Sequence, residues 1–310
     1  MPTILLGGRR DWREILTTKH ARLTAPPPKK KKHFWKRARA VAAPEPIGTR
    51  PKITFLEKEF SRDTVRESEF DFILPFSMED YAILRDCPQV RHKCIFPEEH
   101  IAKAIDDKIV FNALMMECGY ANCIPRVGSP SELELPFIQK RRVDEYGIHT
   151  RIITKRSETD RIHDPDFYFQ EYVPGAEEYA THAICVAGRL VYVKTYKYLF
   201  KSDTYTKSAQ NHPCFVEDLG GYIPSELASI FADLSYTGCA CFNFKLKDET
   251  PMIFELNPRV GASFARNYEP YLWAYMRAVQ DNNRRAANPE VSRPGLNRAS
   301  LTEIAARQSQ

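Results

Sequence analysis

In the stretch GCACFNFKLKDETPMIFELNPRVGASF (238–264), Asn243, Glu255, Asn257 and Arg259 are set among apolar and aromatic residues. A carboxylate, two amides and a guanidinium are the groups that hold a hard cation beside a phosphate. Mg2+ takes oxygen ligands, usually one or two carboxylates, and completes its shell with phosphate oxygens and water. Glu255 can bridge two ions, the amide oxygens can complete the set, and the Arg259 fork can steady a phosphate. That reading needs a hairpin. Alternate side chains of a strand point to opposite faces, so Ala240, Phe242, Phe244 and Leu246 share one face and Cys239, Cys241, Asn243 and Lys245 the other. On the return strand Met252, Phe254 and Leu256 oppose Ile253, Glu255 and Asn257. Pairing Leu246 with Met252 leaves the loop Lys247–Pro251 and sets Asn243 opposite Glu255, with Cβ atoms about 4.5–5.5 Å apart. The same pattern also describes a surface hairpin whose polar face meets only water.

The elements that position this hairpin follow from patterning. Thr3–Gly8 reads as a short strand ending in a glycine turn, 11–20 as a helix, and KITFLEKEF and FDFILPF as strands. Ser77, with Asp80 three residues on, opens the next helix as a capping box. Strands alternating with helices predict a small βαβ-type domain over 1–93, interrupted by a Pro/Lys insertion at 26–40. PEEHIAKAIDDKIVFNALMMECGY reads as one helical stretch, with Pro97 in its first turn and Gly119 as a left-handed stop. Strands dominate Pro136–Leu199, SELASIFADLSYTG is a further helix, and YEPYLWAYMRAVQ closes the main domain, 94–280. A polar tail, expected to be flexible, fills 281–310. The fold class is α+β.

The chain has 310 residues, 43% hydrophobic and 27% charged, and a net charge of +5. No apolar run approaches the roughly 20 residues that span a bilayer. The amino terminus lacks a signal-peptide pattern, so a cytoplasmic location is expected. The eight cysteines are scattered without a CxxC pair and read as packing residues, Cys239 and Cys241 included. Seven Lys/Arg fall in Lys29–Arg39, and without them the +5 becomes −2. The basicity is local: a solvated loop, or a contact for phosphate-rich partners, with Phe34 and Trp35 available for stacking.

FELNPRVGASF resembles the E-x-N-P-R motif of the ATP-grasp superfamily, and is most similar to the branch containing the carbamoyl-phosphate synthetase large chain. PFIQK resembles the strand ending in that family's phosphate-binding lysine. FYFQEYVPGAEEYATHAICVAGRLV resembles its adenine hinge and hairpin, and AIDDKIVFNALMMECGYANCIP a helix that begins with a nucleotide-contacting cation. The order and spacing agree over Phe70–Arg277.

The resemblance implies two α+β lobes clasping a nucleotide, preceded by a small α/β domain, and it implies roles. Lys140 and Lys108 would meet phosphates, and backbone groups of Glu171 and Val173, flanking Tyr172, would meet adenine. Glu178, or its neighbour Glu177, would accept the ribose hydroxyls. Asn243, Glu255 and Asn257 would hold Mg2+, with Mn2+ as an alternative, and Arg259 would stabilise the γ-phosphate. The implied activity is an ADP-forming carboxylate–amine ligase. It activates a small acid, amino acid or peptide-like compound as an acylphosphate, and Lys140 and Arg259 act in the chemistry. Phosphoryl transfer depends mainly on positioning and charge neutralisation, so no nucleophilic Ser or Cys is needed.

Two departures stand out. Asn243 occupies a position where many such ligases have Asp. The segment KRRVDEYGIHTRI keeps only Gly147 of the usual Gly/Ser-rich lid, leaving Arg141 and Arg142 as substitute charge. The alternatives are a nucleotide-binding protein without ligase activity, and a nucleic-acid-binding module using 29–39. The leading reading expects no nucleic-acid partner and a closed homodimer as the default assembly. His149, His163 and His182 read as isolated core or surface histidines, and Lys194 and Lys197 as facing the substrate region.

Overall fold

The structure, a computed structural model, describes residues 2–9, 12, 38–41, 52–54, 60–66, 69–144, 147–159, 164–206 and 211–287. Most of the expected helix at 11–20, most of the basic insertion, His163 and the tail beyond 287 lie outside these residues.

In the N-terminal region β1 (Thr3–Leu6) pairs in parallel with both β3 (Lys52–Thr54) and β4 (Phe72–Leu74), as strands alternating with helices should. The helices here are α1 (Arg62–Arg66) and α2 (Met78–Arg85). The capping box on α2 is present. Ser77 Oγ accepts from the Asp80 N–H, while Asp80 Oδ2 accepts from the Ser77 N–H at 3.2 Å and also from the Phe76 N–H at 2.7 Å. β2 (Ala38–Ala40) does not join this sheet; it pairs antiparallel with β11 (Tyr222–Pro224). The last residues of the expected irregular insertion are thus a strand.

The single helical stretch expected between Pro97 and Tyr120 is two helices, α3 (Glu99–Asp106) and α4 (Lys108–Glu117). Pro97 stands before α3 and not within its first turn. Asp107 is the break. Its backbone is extended, and its carboxylate caps α4 by accepting from the N–H groups of Ile109 and Val110. Arg142 binds the same carboxylate at 2.8 Å. The cap therefore fixes both the start of α4 and the end of the neighbouring strand. Gly119 has φ +86°, the left-handed stop expected of it.

Two antiparallel sheets form the body. The smaller has the order β6-β5-β7 (Arg151–Ile153, Phe137–Arg141, Phe167–Glu171). The larger has the order β10-β9-β8-β12-β13 (Phe215–Asp218, Arg189–Leu199, Glu177–Val186, Gly238–Lys247, Thr250–Asn257). Tyr172–Ala176 connects them. One face of the larger sheet presents Ala183, Val193, Ala240, Phe242, Phe244, Ile253 and Leu256 to α3, α4 and α5 (Ser225–Asp233), forming one buried core. At one end of the sheet, α6 (Tyr268–Ala287) packs on Ile184, Tyr192 and Cys239, and also on Leu74 and Phe76 of the N-terminal region. α6 continues past residue 280, so the first residues assigned to the tail are helical. No helix among the described residues is long and apolar enough to cross a membrane.

The β12–β13 hairpin corrects the expected register. Lys245 pairs with Met252, Leu246 with Pro251 and Lys247 with Thr250, leaving a two-residue turn in place of five. Asp248 and Glu249 have φ of +51° and +67°, the left-handed pair that suits the twist of a tight hairpin. A bulge then shifts the register by one, so Asn243 still faces Glu255. Phe254 is the unpaired residue. Its ring lines the site, while Ile253 turns into the core. The expected facing of these two residues was inverted.

Candidate active site

The register places Asn243, Cys241 and Lys245 of β12 on one face with Glu255 and Asn257 of β13. His182 and Ala180 of β8 pair with Cys241 and Asn243 and so share that face. The smaller sheet stands over it, and between them lies a cavity of about 940 Å3, near the upper end for ligand pockets. Lys108, Lys140, Glu171, Tyr172, Val173, Glu178, Asn243, Glu255, Asn257 and Arg259 all line it.

Glu255 is the hub. Its Oε1 accepts from Asn243 Nδ2 at 2.7 Å and Asn257 Nδ2 at 3.1 Å, and Lys108 Nζ lies 3.6 Å from its Oε2. Burial alone would raise this carboxyl. Lys108, the Asn257 hydrogen bond, Lys140 and Arg259 outweigh burial and hold it at about 2. At neutral pH the group is an anion. Half a turn of each amide presents its oxygen in place of its N–H groups, giving one carboxylate and two neutral oxygens on one face. Among the described residues no three His, Cys, Asp or Glu side chains gather into a cage. The donor set fits an Mg2+ shared with phosphate oxygens.

Lys140, the penultimate residue of β5, is 7% exposed and donates to Gln170 Oε1 at 2.9 Å and to the Phe254 carbonyl at 3.5 Å. Its ammonium lies 5.1 Å from the centre of the Phe254 ring. Burial pulls it down to about 8, against the pull of Glu255. Gln170, fully buried and itself donating to the Pro125 carbonyl, fixes the lysine; the sequence reading had missed it.

At the hinge the Glu171 N–H donates to the Arg126 carbonyl at 2.7 Å, so it is not open to a base. The Val173 N–H has no partner among the described residues. Of the two candidates for the ribose, Glu178 is the one that lines the cavity, its Oε2 accepting from Tyr205 at 3.4 Å. Glu177 lies outside, paired with Lys197.

Lys245 is the larger omission. It is 3% exposed and donates to the carbonyls of Val173 at 2.9 Å and Gly175 at 2.7 Å. Its ammonium stands 4.3 Å from the centre of the Tyr205 ring. Burial lowers it to about 8, opposed by Glu178 and Asp203. Alternation places it on the polar strand face, two residues from Asn243, but the carbonyls it meets lie 72 and 70 residues away in the chain. Lys245→Met should release the hinge carbonyls and weaken ATP binding by about ten-fold, on the scale of one charge-assisted hydrogen bond. Titration with a fluorescent ATP analogue measures this, and an unchanged affinity would remove Lys245 from the site.

Other expectations are corrected. Arg141 and Arg142, expected as substitute charge, are paired with Asp166 and Asp107. Lys197 lies on the opposite sheet face with Glu177 and Glu217, whereas Lys194 is on the site face, as expected, and pairs with Asp218 at 2.6 Å. His182 is far from isolated: fully buried, it meets Ser263 Oγ at 2.6 Å. His149 bonds Asp144 at 3.1 Å.

No family model matches the chain, and no curated protein matches it. Solved structures do. D-alanine–D-alanine ligase from Bacillus anthracis, complexed with ATP, is 12% identical at a TM-score of 0.53, with 92% of this chain and 98% of that one covered. Phosphoribosylamine–glycine ligase from Thermotoga maritima is 13% identical at 0.60, covering 91% and 76%. The biotin carboxylase domain of 2-oxoglutarate carboxylase from Hydrogenobacter thermophilus, in complex with MgADP and bicarbonate, is 11% identical at 0.52, covering 90% and 69%. The likeness does not single out the carbamoyl-phosphate synthetase branch. The chain has the ATP-grasp fold.

Proposed function

We propose that this chain is an Mg2+-dependent, ADP-forming ligase that activates a carboxylate with ATP and passes the acyl group to an amine. The observation that carries this reading is the partly buried Glu255, held ionised by Lys108, Lys140 and Arg259 with two amides beside it. Val173 offers the base an N–H, Glu178 takes the ribose hydroxyls, and Lys140 and Lys108 neutralise phosphates. Glu255, Asn243 and Asn257 would hold the metal, which offsets charge on the transferred phosphoryl group. A substrate carboxylate oxygen attacks the γ-phosphorus, the bond to the β,γ-bridging oxygen breaks, and ADP leaves. The amine then attacks the acylphosphate carbon, phosphate departs, and the amine gives up a proton. Arg259 steadies the phosphoryl group through both steps.

The test is Mg2+-dependent ADP release against a panel of carboxylic and amino acids, with and without an added amine. Release stimulated by one acid supports the ligase. ATP binding with no stimulated release across the panel would favour the non-catalytic reading.

Asn243→Asp supplies a second carboxylate and should tighten Mg2+ in the nucleotide complex by about ten-fold, since hard-cation affinity follows ligand charge. An Mg2+ titration of nucleotide binding measures it. Unchanged or weaker Mg2+ dependence would exclude Asn243 from the metal site.

A further inference from the structure

Besides the cluster around Glu255, the cavity is lined by Trp12, Cys241, Gly261, Ala262, Ser263 and Arg266, none of them acidic. The sheet behind them is rich in nitrogen and hydroxyl groups. His182 pairs with Cys241 on one side and Lys194 on the other, and Tyr196 pairs with Ala180, so His182, Lys194 and Tyr196 share the site face. The His182 and Tyr196 rings meet edge to face at 6.0 Å. The Tyr196 hydroxyl is buried and has no hydrogen-bond partner among the described residues. Asp218 is the nearby carboxylate, and Lys194 already holds it at 2.6 Å.

Arg266 opens on the cavity from a fixed support. It belongs to the 3-10 turn Ala262–Asn267, whose Phe264 and Ala265 are buried. Phe264 packs against Trp12, Phe76 and Tyr271, at ring separations of 6.0, 5.6 and 5.4 Å. Arg259 lies seven residues earlier, and its charge is answered by Glu255. Arg266 has no ion pair with a described residue. One stretch of chain thus carries two guanidinium groups into one cavity, and the carboxylate on the wall near the second, Asp218, is already held by Lys194.

We propose that the activated acid carries a second anionic group, bound by Arg266, so that the substrate class is small dicarboxylates and acidic amino acids. This rests on the ligase reading of the same cavity. One carboxylate lies by Arg259 and Glu255, where the phosphoryl group is transferred. The other meets the Arg266 fork, which fits a carboxylate through two parallel hydrogen bonds. A neutral isostere leaves that fork unmatched, so the site discriminates by charge more than by size.

The experiment is calorimetric titration of the protein, loaded with Mg2+ and a non-hydrolysable ATP analogue, with matched pairs: succinate and succinamate, L-aspartate and L-asparagine, L-glutamate and L-glutamine. At least one charged member should bind about ten-fold or more tightly than its amide. Arg266→Gln should erase that preference while leaving analogue affinity within two-fold, and Arg266→Lys should retain part of it. Arg266 is exposed, so its variants should melt with the wild type. Equal binding within every pair, no binding by any of the six, or a preference that survives Arg266→Gln overturns the proposal. Failure of the analogue itself to bind would fell the ligase reading, and is distinguished by the first titration.

Discussion

Glu255→Gln is expected to abolish Mg2+-dependent ADP release, by about 10³-fold, the scale of losing one principal charge-stabilising group. Glutamine keeps the shape and one carbonyl oxygen, so Asn243 and Asn257 still have an acceptor. It cannot hold a divalent cation between the amides and the phosphates. Lys108 and Lys140 would lose the anion they share; Lys140, already drawn down to about 8 by burial, then sheds its proton near neutral pH. Nucleotide binding should therefore weaken less than turnover. The pH dependence of stability gives a second readout. Glu255 is held at about 2 against an ordinary 4.5. Its contribution, of order 3 kcal/mol, is fully present above pH 4.5 and is lost as pH falls toward 2. Acid unfolding of the glutamine variant should lack that component. Wild-type turnover in this variant would end the metal assignment, and Glu255→Asp should recover part of the lost activity.

The second large effect is expected at Gly261. Its backbone is extended, so an added side chain meets no torsional strain. The obstacle is contact. A Cβ there would stand 2.7 Å from Cys241 Sγ and 2.8 Å from His182 Cε1. Both neighbours are buried in β-strands, so the loop must move, and with it Ser263, Arg259 and Arg266. Gly261→Ala should cost about 1–3 kcal/mol of stability, as overpacking does. It should also lower acid-stimulated ADP release by about 10²-fold, the penalty for misplacing reacting groups by an ångström. Nucleotide affinity should stay close to wild type, because Val173 and Glu178, the groups proposed to meet base and ribose, do not touch this loop. Cys241→Ala in the same chain removes the tighter contact and should restore part of both losses. A stable, fully active Gly261→Ala protein would show that the loop does not set the site.

The legible parts of this molecule are those with local causes. Ser77 and Asp80 announce a capping box, Gly119 a left-handed stop, and the alternation of β12 assigns its two faces without further information. The break at Asp107 was legible in hindsight: a short acid just before a lysine-led apolar run can cap a helix as well as extend one. The hairpin shows the limit. Alternation gave the opposition of Asn243 to Glu255 from the wrong loop length, since an unnoticed bulge cancelled the difference. Gln170, Lys245, His182 and Arg266 stayed hidden for another reason. Each gains its role from a partner distant in the chain: Lys140, the Val173 and Gly175 carbonyls, Ser263 and the cavity wall. Propensity carries no record of such pairings.

The bulge at Phe254 has a meaning in genetic terms. Losing one residue from a strand ordinarily sends every later side chain to the wrong face. Here Ile253 already faces Phe244, and Glu255 already faces Asn243. Deleting the Phe254 codon would therefore leave a regular ladder with core and site residues in place. What would vanish is the ring and the carbonyl that Lys140 meets. One position in this strand can thus be gained or lost by a lineage as a unit, adding a side chain to the site or withdrawing it, while the fold keeps its frame.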